Sequence, residues 1–287
     1  MRLAYFQGCK ILFDLNSYGK AVERLMAHLG VTLVTLDFNC CGNRARGKNL
    51  AASVHAAVRN IALAQARGLD IFTPCKCCFG QLKHGLFWYA ENKMIREKVD
   101  LALAEEGLKF EAAPLIQDPG TGILEKRTVR IRHLLDFLFH DIGPRVLASR
   151  ITPVSDPVKV VLQQGCHALR PFSVTQFDNP FAPRMFRQLA KTAGLDPLDW
   201  EKEVECCGSP AAETNKALAL QICRQKLSSA QNAGADYICT ACTHCQIQYA
   251  MGYTPKKDVR PVPFAVFLGA ALGIQSRLFH TDQWPNI

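Results

Sequence analysis

The sequence lacks the features that would place this 287-residue chain in a bilayer, among secreted disulfide proteins or on nucleic acid. Its longest apolar tract near the end, Pro263 to Ile274, is too short to cross a membrane and is expected to form a buried or partner-facing helix. The segment from Met1 to Cys9 contains no apolar signal region, which favours a cytosolic address where thiols stay reduced. The formal net charge is +9, but the basic residues are dispersed and accompany no nucleic-acid motif. We therefore expect a cytoplasmic protein, and any membrane association would be through partners.

Cysteine is the residue that the chain has in quantity, and ten of the thirteen cysteines fall into two matching sets of five. Each set has a single cysteine, then an adjacent pair followed by glycine, then a Cys-x-x-Cys motif. The first set is Cys9, Cys40, Cys41, Cys75 and Cys78. The second set is Cys166, Cys206, Cys207, Cys242 and Cys245. The repeat predicts two copies of one polynuclear metal site.

Both sets lie within alternating strands and helices, a pattern that favours a parallel sheet covered by helices. In such a sheet the carboxyl ends of the strands meet at one edge, so cysteines far apart in sequence are brought together. The predicted fold class is α/β, with two similar domains that each contain a small parallel sheet flanked by helices and are related by internal duplication. The first cysteine-rich domain is expected at residues 1–145 and the second at 155–287, with the link around 142–154.

Local patterns give approximate bounds for the elements. Helices are expected near residues 18–29, 50–66, 131–139, 182–193 and 215–233. Strands are expected near residues 3–6, 31–36, 69–72, 158–162 and 236–238, and residues 198–204 lead to the second cysteine pair. The segment 108–127, rich in proline and glycine, is expected to be an irregular excursion.

Two Cys-x-x-Cys frames compete in the second half, because Cys239 precedes Cys242 by the same spacing that separates Cys242 from Cys245. An alignment of the halves at a constant offset pairs Gln65, Gly68 and Asp70 with Gln231, Gly234 and Asp236. One inserted residue then places Cys75 over Cys242, so we choose Cys242 and Cys245 as the site residues. Cys239 is left at the end of its strand.

Two further cysteines stand outside the sets. Cys77 is a spacer inside the first Cys-x-x-Cys motif, and Cys223 lies in the middle of a predicted helix. We expect Cys223 to be a small, buried apolar residue.

Five thiols for each site favour iron and sulfide over zinc. Structural zinc takes four ligands and would leave a surplus thiol in both halves. An iron and sulfide core can use more sulfur ligands, and two adjacent cysteines can reach neighbouring irons. Zinc stays open as an alternative, as does a redox dithiol for a lone Cys-x-x-Cys motif. The chain also lacks a ferredoxin run that ends in Cys-Pro, so any cubane cluster would belong to a different polypeptide.

The residues around the cysteines resemble those of the B subunit of heterodisulfide reductase, which is built of two cysteine-rich domains of the Cys-Cys-Gly type. The segments that carry the resemblance are Gly8-Cys9, Asn39 to Gly42, Thr73 to Cys78, Gly165 to Pro171 and Glu205 to Gly208. The resemblance implies that each set of five cysteines binds a noncubane 4Fe-4S cluster and that a disulfide is reduced between the two clusters. It also implies two partners, a ferredoxin-like subunit with cubane iron-sulfur clusters and a flavoprotein subunit. In methanogens the substrate is the mixed disulfide of coenzymes M and B, whereas bacterial relatives serve other complexes.

Two departures limit the transfer of these properties. The spacing between Cys9 and Cys40 is shorter than its counterpart in the second half, and Cys239 adds a thiol near the second site. The two clusters therefore need not be equivalent, and one could be catalytic while the other relays electrons.

The functional prediction is an oxidoreductase subunit that acts on sulfur groups, because reduction of a disulfide takes two electrons and two one-electron clusters could supply them. A first alternative is an electron-transfer subunit of a larger oxidoreductase or sulfur-oxidising complex, without a substrate site of its own. A zinc-stabilised interaction protein is a second alternative. The identity of the disulfide, the direction of reaction, the electron donor and the assembly stoichiometry are not fixed by the sequence.

Charged residues near the cysteines could neutralise cluster charge or hold an anionic thiol substrate, although solvated surface is the simpler interpretation of each. These residues are Lys10, Arg44, Arg46, Lys48, Lys76, Lys83, His84, His167 and Arg170. His167 and Arg170 are the better candidates because the family resemblance includes them. His167 could donate a hydrogen bond to a ligand sulfur, or it could be an ordinary packed histidine.

Overall fold

The computed structural model describes residues 1–112, 115–117, 124–126, 129–151, 156–255 and 257–284. The strands of the first half are β1 (Arg2–Tyr5), β2 (Thr32–Val34), β3 (Ile71–Thr73), β4 (Leu115–Gln117), β5 (Leu124–Lys126) and β6 (Ile131–His133). Its helices are α1 (Gly8–Phe13), α2 (Asn16–His28), α3 (Leu50–Ala66), α4 (Lys76–Glu91), α5 (Lys93–Glu105), α6 (Leu134–Phe137) and α7 (Pro144–Ala148).

The second half repeats the pattern. Its strands are β7 (Val158–Gln163), β8 (Leu195–Pro197), β9 (Tyr237–Thr240) and β10 (Arg260–Pro263). Its helices are α8 (Cys166–Leu169), α9 (Phe172–Thr175), α10 (Met185–Thr192), α11 (Lys216–Asn232), α12 (Thr243–Gly252) and α13 (Phe264–Ala271). Short 3-10 turns follow both Cys-Cys-Gly motifs, at Asn43–Ala45 and Ser209–Glu213.

Each half contains a four-stranded sheet in which neighbouring strands are parallel. The orders are β2-β1-β3-β6 and β10-β9-β7-β8, which are the same order when β7 is matched with β1, β8 with β2, β9 with β3 and β10 with β6. Helices cover both sheets, as parallel strands require when they are joined by crossovers. The predicted α/β class with two duplicated units is confirmed.

One apolar core runs through both halves, from β1 and α2 to β9 and α13. Helix α13, within the apolar tract that the sequence singled out, is buried from Phe264 to Gly269 and packs against α2 of the first half. Trp284 places its ring edge-on to Tyr18 with centroids 6.3 Å apart, so the end of the chain also packs on the first half. In the ranges described above, no helix is long and apolar enough to span a bilayer.

The structure corrects the expected helix at residues 131–139. Its first three residues form β6 instead, because they pair with β3 in parallel register, with Ile131 opposite Ile71. Helix α6 then covers four residues, and a π turn follows at Leu138–Ile142. Strand pairing has overridden the local helical pattern.

The remaining differences lie in the connections. The strand before the second cysteine pair is Leu195–Pro197, and the residues from 198 to 204 form turns and loop. Helix α7 interrupts the expected link, and residues 152–155 of that link lie outside the described residues. In the expected irregular excursion, β4 and β5 pair as an antiparallel hairpin, while residues 113–114, 118–123 and 127–128 lie outside the described residues.

Candidate metal centre

The cysteines of both sets follow the carboxyl ends of parallel strands. Cys9 comes after β1, the pair Cys40 and Cys41 comes after β2, and Cys75 and Cys78 lie at the start of α4 directly after β3. The five cysteines of the second set follow β7, β8 and β9 in the same way. Because strands of a parallel sheet all end at one edge, each sheet gathers its five thiols there.

Within each set, the thiols form a continuous row of hydrogen-bonded neighbours. The order in the first row is Cys9, Cys40, Cys41, Cys78 and Cys75. The order in the second row is the equivalent one: Cys166, Cys206, Cys207, Cys245 and Cys242. The rows meet where Cys75 contacts Cys242, so all ten predicted site residues form one line of sulfur atoms across the two halves.

The same thiol in each row has its pKa lowered. Hydrogen bonds from Cys41 and Cys9 lower the pKa of the Cys40 thiol to about 2, and hydrogen bonds from Cys166 and Cys207 lower the pKa of Cys206 to about 2. The donor Cys41 has its pKa raised to about 12, mainly because its proton is held by Cys40. The equal response of Cys40 and Cys206 indicates that the local geometry of the adjacent pair is repeated.

In each row, the thiols at the outer end are more exposed than those toward the meeting point. Cys40 is exposed, and Cys9, Cys166 and Cys206 are partly exposed, whereas the other six site cysteines are buried. All thirteen cysteines are free thiols. Solvent therefore reaches the outer end of each row, and the meeting point of Cys75 and Cys242 is enclosed.

The donor set fits a polynuclear iron and sulfide group. Among the described residues, no group of three or more His, Cys, Asp or Glu side chains has the arrangement that a single metal ion requires. A row of five neighbouring sulfurs, with two adjacent in sequence, is instead suited to several irons, each taking one or two thiolates.

The glycine of each Cys-Cys-Gly motif is required by its backbone. Gly42 and Gly208 have φ values of +87° and +92°, in the left-handed region that side chains disfavour. A Cβ at Gly42 would lie 2.5 Å from the carbonyl oxygen of Ser53, and one at Gly208 would lie 2.9 Å from that of Ala219. Each cysteine pair is thus held by a turn that packs directly on the backbone of the following long helix.

Buried polar side chains on those long helices hold the approach to each pair. In α3, the Asn60 amide donates to the carbonyl of Cys40 at 3.3 Å, and its oxygen accepts from the amide of Asn39 at 3.0 Å. In α11, the Lys226 ammonium donates to the carbonyls of Lys202 at 2.6 Å and Glu205 at 3.0 Å. Burial lowers the pKa of Lys226 to about 8, against the opposing charge of nearby cysteine sulfurs.

The two halves also exchange contacts at the centre of the row. The hydroxyl of Thr243 donates to the sulfur of Cys75 at 2.9 Å. Lys76, at the equivalent position of α4, is fully buried and donates to the carbonyl of Gln164 in the other half. Burial lowers the pKa of Lys76 to about 8, while the sulfurs of Cys242 and Cys245 act in the opposite direction.

Cationic and imidazole groups form a rim beside the two cysteine-pair loops. Arg44 forms an exposed ion pair with Glu213 at 2.7 Å, which joins the loop of one half to the turn of the other. His84 is buried, and burial together with the charges of Arg46 and His167 lowers its pKa to about 4. His167 lies with Nδ1 at 3.6 Å from the sulfur of Cys166. This rim can accept an anionic group beside the outer ends of the rows.

Comparison with known proteins shows the family of the chain. The sequence profile of the cysteine-rich CCG domain matches twice, at residues 3–83 and 160–249, so that each match contains one set of five cysteines. The chain belongs to the CCG cysteine-rich domain family.

Named relatives cover almost the whole CCG chain. The B subunit of the ferredoxin/F(420)H(2)-dependent CoB-CoM heterodisulfide reductase of Methanosarcina acetivorans is 28% identical over 95% of this chain and 89% of its own length. A protein of Archaeoglobus profundus, named for its likeness to the B subunit of heterodisulfide reductase, is 27% identical over 86% of this chain and 80% of its own. The membrane anchor of the 8-methylmenaquinol:fumarate reductase of Wolinella succinogenes is 25% identical over 96% and 93%. The expected resemblance to the B subunit of heterodisulfide reductase is confirmed.

A solved structure shares the fold of this CCG protein. A hypothetical protein from Helicobacter pylori superposes with a TM-score of 0.72 at 15% identity and covers 96% of this chain. The chain spans about half of that protein, since the match covers 49% of it. At this level of identity the similarity concerns the fold alone.

The cysteines outside the two sets have separate environments. Cys223 occupies the position of Ala57 in the duplicated CCG unit and packs against Gly252, where a Cβ would lie 2.5 Å from its sulfur. Cys239 is buried near the end of β9, and within the part of the chain that the structure describes no thiol is among the groups that hydrogen-bond to it. Cys77 is buried between the rows. The choice of the Cys242 and Cys245 frame stays a prediction, which the position of Cys239 favours.

Several of the expected cationic candidates have structural partners. Lys10 pairs with Asp14 at 2.8 Å, and the Lys83 ammonium lies 5.8 Å from the centre of the Phe79 ring. Arg170 donates to the carbonyl of Val204 at 2.9 Å, so part of its guanidinium serves the backbone.

Sequence reasoning missed Thr243 and Lys226, and it named Lys76 without predicting its burial. Thr243 and the burial of Lys76 had no signal of their own, because their partners come from the other half. Lys226 had one: it matches Asn60 at the same offset that pairs Gln231 with Gln65. A buried polar residue at both equivalent positions indicates a shared structural task.

Proposed function

We propose that the chain is the iron–sulfur subunit of a heterodisulfide reductase-like complex and that its two sets of five cysteines each hold a 4Fe-4S cluster of the noncubane type. The observation that carries the proposal is the line of ten sulfurs, built as two equivalent rows that meet at Cys75 and Cys242. The names of the relatives from Methanosarcina acetivorans and Archaeoglobus profundus support the same assignment.

The reaction proposed is the reduction of a disulfide, or its reverse. One disulfide takes up two electrons and two protons, its sulfur–sulfur bond breaks, and two thiols leave. Clusters bound at the two sets would supply one-electron transfer and iron sites with affinity for thiolate sulfur. The electrons would come from a ferredoxin-like partner with cubane clusters, itself served by a flavoprotein.

The residues of the chain would contribute binding and orientation. The turns at Gly42 and Gly208 fix the cysteine pairs, and Asn60 and Lys226 hold the backbone before them. The rim of Arg44, Arg46 and His167 would bind an anionic group of the substrate near the accessible ends of the rows. The ten cysteines are the proposed ligand and catalytic residues.

Anaerobic purification followed by iron, sulfide and zinc counting tests the metal assignment. We expect two clusters per chain in the wild type, and loss of one cluster in each of the variants Cys40→Ser/Cys41→Ser and Cys206→Ser/Cys207→Ser. The matched control is Cys223→Ala, which changes a buried cysteine outside the sets and should keep both clusters. Zinc without iron or sulfide would contradict the proposal and leave a zinc-stabilised interaction protein.

A turnover assay with a small disulfide and a reduced viologen dye tests the reaction. Loss of either cluster should abolish oxidation of the dye by the disulfide, because each set is needed for one electron. Turnover that survives the loss of one cluster would rule out the paired mechanism.

A second candidate function is an electron-transfer subunit without its own substrate site. The relative from Wolinella succinogenes favours it, since its name describes the membrane anchor of a fumarate reductase rather than a disulfide reductase. Spectra of the loaded protein with and without a small thiol distinguish the two, because a substrate site should change the cluster spectrum and a relay should not. A cytoplasmic location, with membrane contact through partners, belongs to either proposal.

A further inference from the structure

Two buried lysines distinguish the second set of cysteines from the first. Among the described lysines and arginines, the buried ones are Lys76 and Lys226, with exposed fractions of 0% and 1%. We propose that both ammonium groups raise the reduction potential at the second set, so that an electron entering the protein is held there in preference to the first set. This inference rests on the proposed function, in which each set binds an iron–sulfur cluster.

Lys226 reaches the second set from α11 of the same half. Its ammonium donates to the carbonyl of Glu205, the residue directly before Cys206, and lies 4.7 Å from the centre of the Trp200 ring. Cys245 and Cys207 are the sulfurs that most favour its charge. The cation is therefore fixed behind the second row and shielded from water.

Lys76 reaches the same set from the other half. Although it directly follows Cys75 of the first set, its side chain crosses to the carbonyl of Gln164, two residues before Cys166. Its ammonium lies 4.7 Å from the centre of the Phe186 ring, also in the second half. The sulfurs that most favour its charge are Cys242 and Cys245, both in the second row.

The equivalent positions beside the first set are uncharged. Asn60 stands where α11 has Lys226, and Thr243 stands where α4 has Lys76. The Thr243 hydroxyl donates to Cys75 and stabilises negative charge on that sulfur, but a hydroxyl dipole acts more weakly than two full charges at low dielectric.

Cations do lie near the first set, but at the surface. Lys10 is paired with Asp14, and Arg44, whose side chain is 65% exposed, is paired with Glu213. Water and salt screen such exposed pairs, whereas a buried charge keeps most of its field. A fixed positive charge stabilises the reduced, more negative form of a cluster, so the second set should have the higher reduction potential.

A redox titration followed by electron paramagnetic resonance tests this assignment. Two backgrounds separate the sites: Cys40→Ser/Cys41→Ser keeps the second set, and Cys206→Ser/Cys207→Ser keeps the first. With dithionite as reductant and dyes that set the potential at pH 7, the second set should be reduced at the higher potential. Equal potentials, or the reverse order, would overturn the inference.

Neutral variants then test the lysines. In the background that keeps the second set, Lys226→Gln and Lys76→Gln should each change the ratio of reduced to oxidised cluster at a fixed potential by about tenfold, which corresponds to about 59 mV for one electron. Lys226→Arg should restore the ratio toward that of the parent. In the background that keeps the first set, Lys226→Gln should change it less than about twofold, in line with the distance dependence of charge interactions.

Lys83→Gln is the matched control, since Lys83 shares α4 with Lys76 but faces Phe79 and should change neither potential. Equal shifts in both backgrounds, or none in either, would contradict the role of the lysines. If a glutamine variant fails to retain iron, the order of the two reduction potentials in the parent backgrounds still tests the inference. Absence of iron from the wild type would instead refute the proposed function, a result that metal counting separates from two equal potentials.

Discussion

The two cysteine sites have the same backbone and sulfur order but different polar neighbours. Both place a glycine turn after the cysteine pair, and both lower the pKa of the same thiol, Cys40 or Cys206, to about 2. Yet Asn60 supports the first site where a buried Lys226 supports the second. Duplication has kept what positions the sulfurs, while the charges around them have diverged.

The largest effect is expected at the glycine turns. Gly42→Ala should lower the free energy of unfolding by about 3 kcal/mol, because it combines a left-handed backbone with a Cβ 2.5 Å from the Ser53 carbonyl. Gly208→Ala, with 2.9 Å to the Ala219 carbonyl, should cost about 2 kcal/mol. Urea unfolding measures both.

Gly30→Ala is the matched control for this comparison. Its φ is +78°, but no atom lies within 4 Å of the added Cβ, so it should show the backbone cost alone, about 1 kcal/mol. Equal losses at all three glycines would mean that close packing on the helices does not matter.

The second largest effect is expected at Asn60 and Lys226, the side chains that support the two cysteine pairs, and its size should differ between them. Asn60→Leu should lower the free energy of unfolding by about 2 kcal/mol, because the amide of Asn39 and the carbonyl of Cys40 both lose a partner. Lys226→Leu also frees two carbonyls, but it removes a buried charge, so we expect a smaller loss of about 1 kcal/mol. A larger loss at Lys226 would reverse this ranking, and urea unfolding with iron counting decides it.

The edge strands β6 and β10 should differ in how their last residues make stability depend on pH. His133 ends β6, whereas Pro263 ends β10 and cannot titrate. Burial lowers the pKa of His133 from 6.5 to about 3, and its ring contacts the carbonyl of Ala241 at 3.0 Å. Below pH 6.5 the unfolded chain takes up a proton that the folded chain refuses, so stability falls as the pH drops toward 3.

The His133→Gln variant isolates this contribution. Between pH 7.5 and 5.5 the wild type should lose about 1.4 kcal/mol more of its free energy of unfolding than the variant. The loss arises because His133 becomes protonated in the unfolded state but not in the folded state, and it equals the free energy of about one pKa unit. Parallel pH profiles for the two proteins would contradict the assignment.

The smallest effect is expected at the ion pair that joins the two cysteine-pair loops. Arg44 and Glu213 are mostly exposed, so Arg44→Ala should leave the urea midpoint unchanged within error. Binding of an anionic thiol should nevertheless weaken, since Arg44 belongs to the proposed rim. Glu213→Gln is the control that keeps the cation, and unchanged thiol binding in Arg44→Ala would remove this residue from the rim.

Much of the fold followed from local patterns, and the misassigned helix at residues 131–139 was overridden by strand pairing. The long helices were expected at 50–66 and about 215–233, and they occur at Leu50–Ala66 and Lys216–Asn232 because their apolar faces and caps are encoded nearby. The helix expected at 131–139 instead begins with β6, because Ile131 pairs with Ile71. Pairing between distant residues outweighs a local pattern of only three residues.

The sequence by itself determined the duplicated α/β architecture and predicted two sets of five cysteines, because spacing and periodicity are local or repeated features. The tertiary structure alone decided that the rows meet at Cys75 and Cys242 and that Lys76 crosses to the other half. Contacts of this kind depend on how two sheets pack against each other. Packing brings together residues whose separation along the chain carries no record of their proximity.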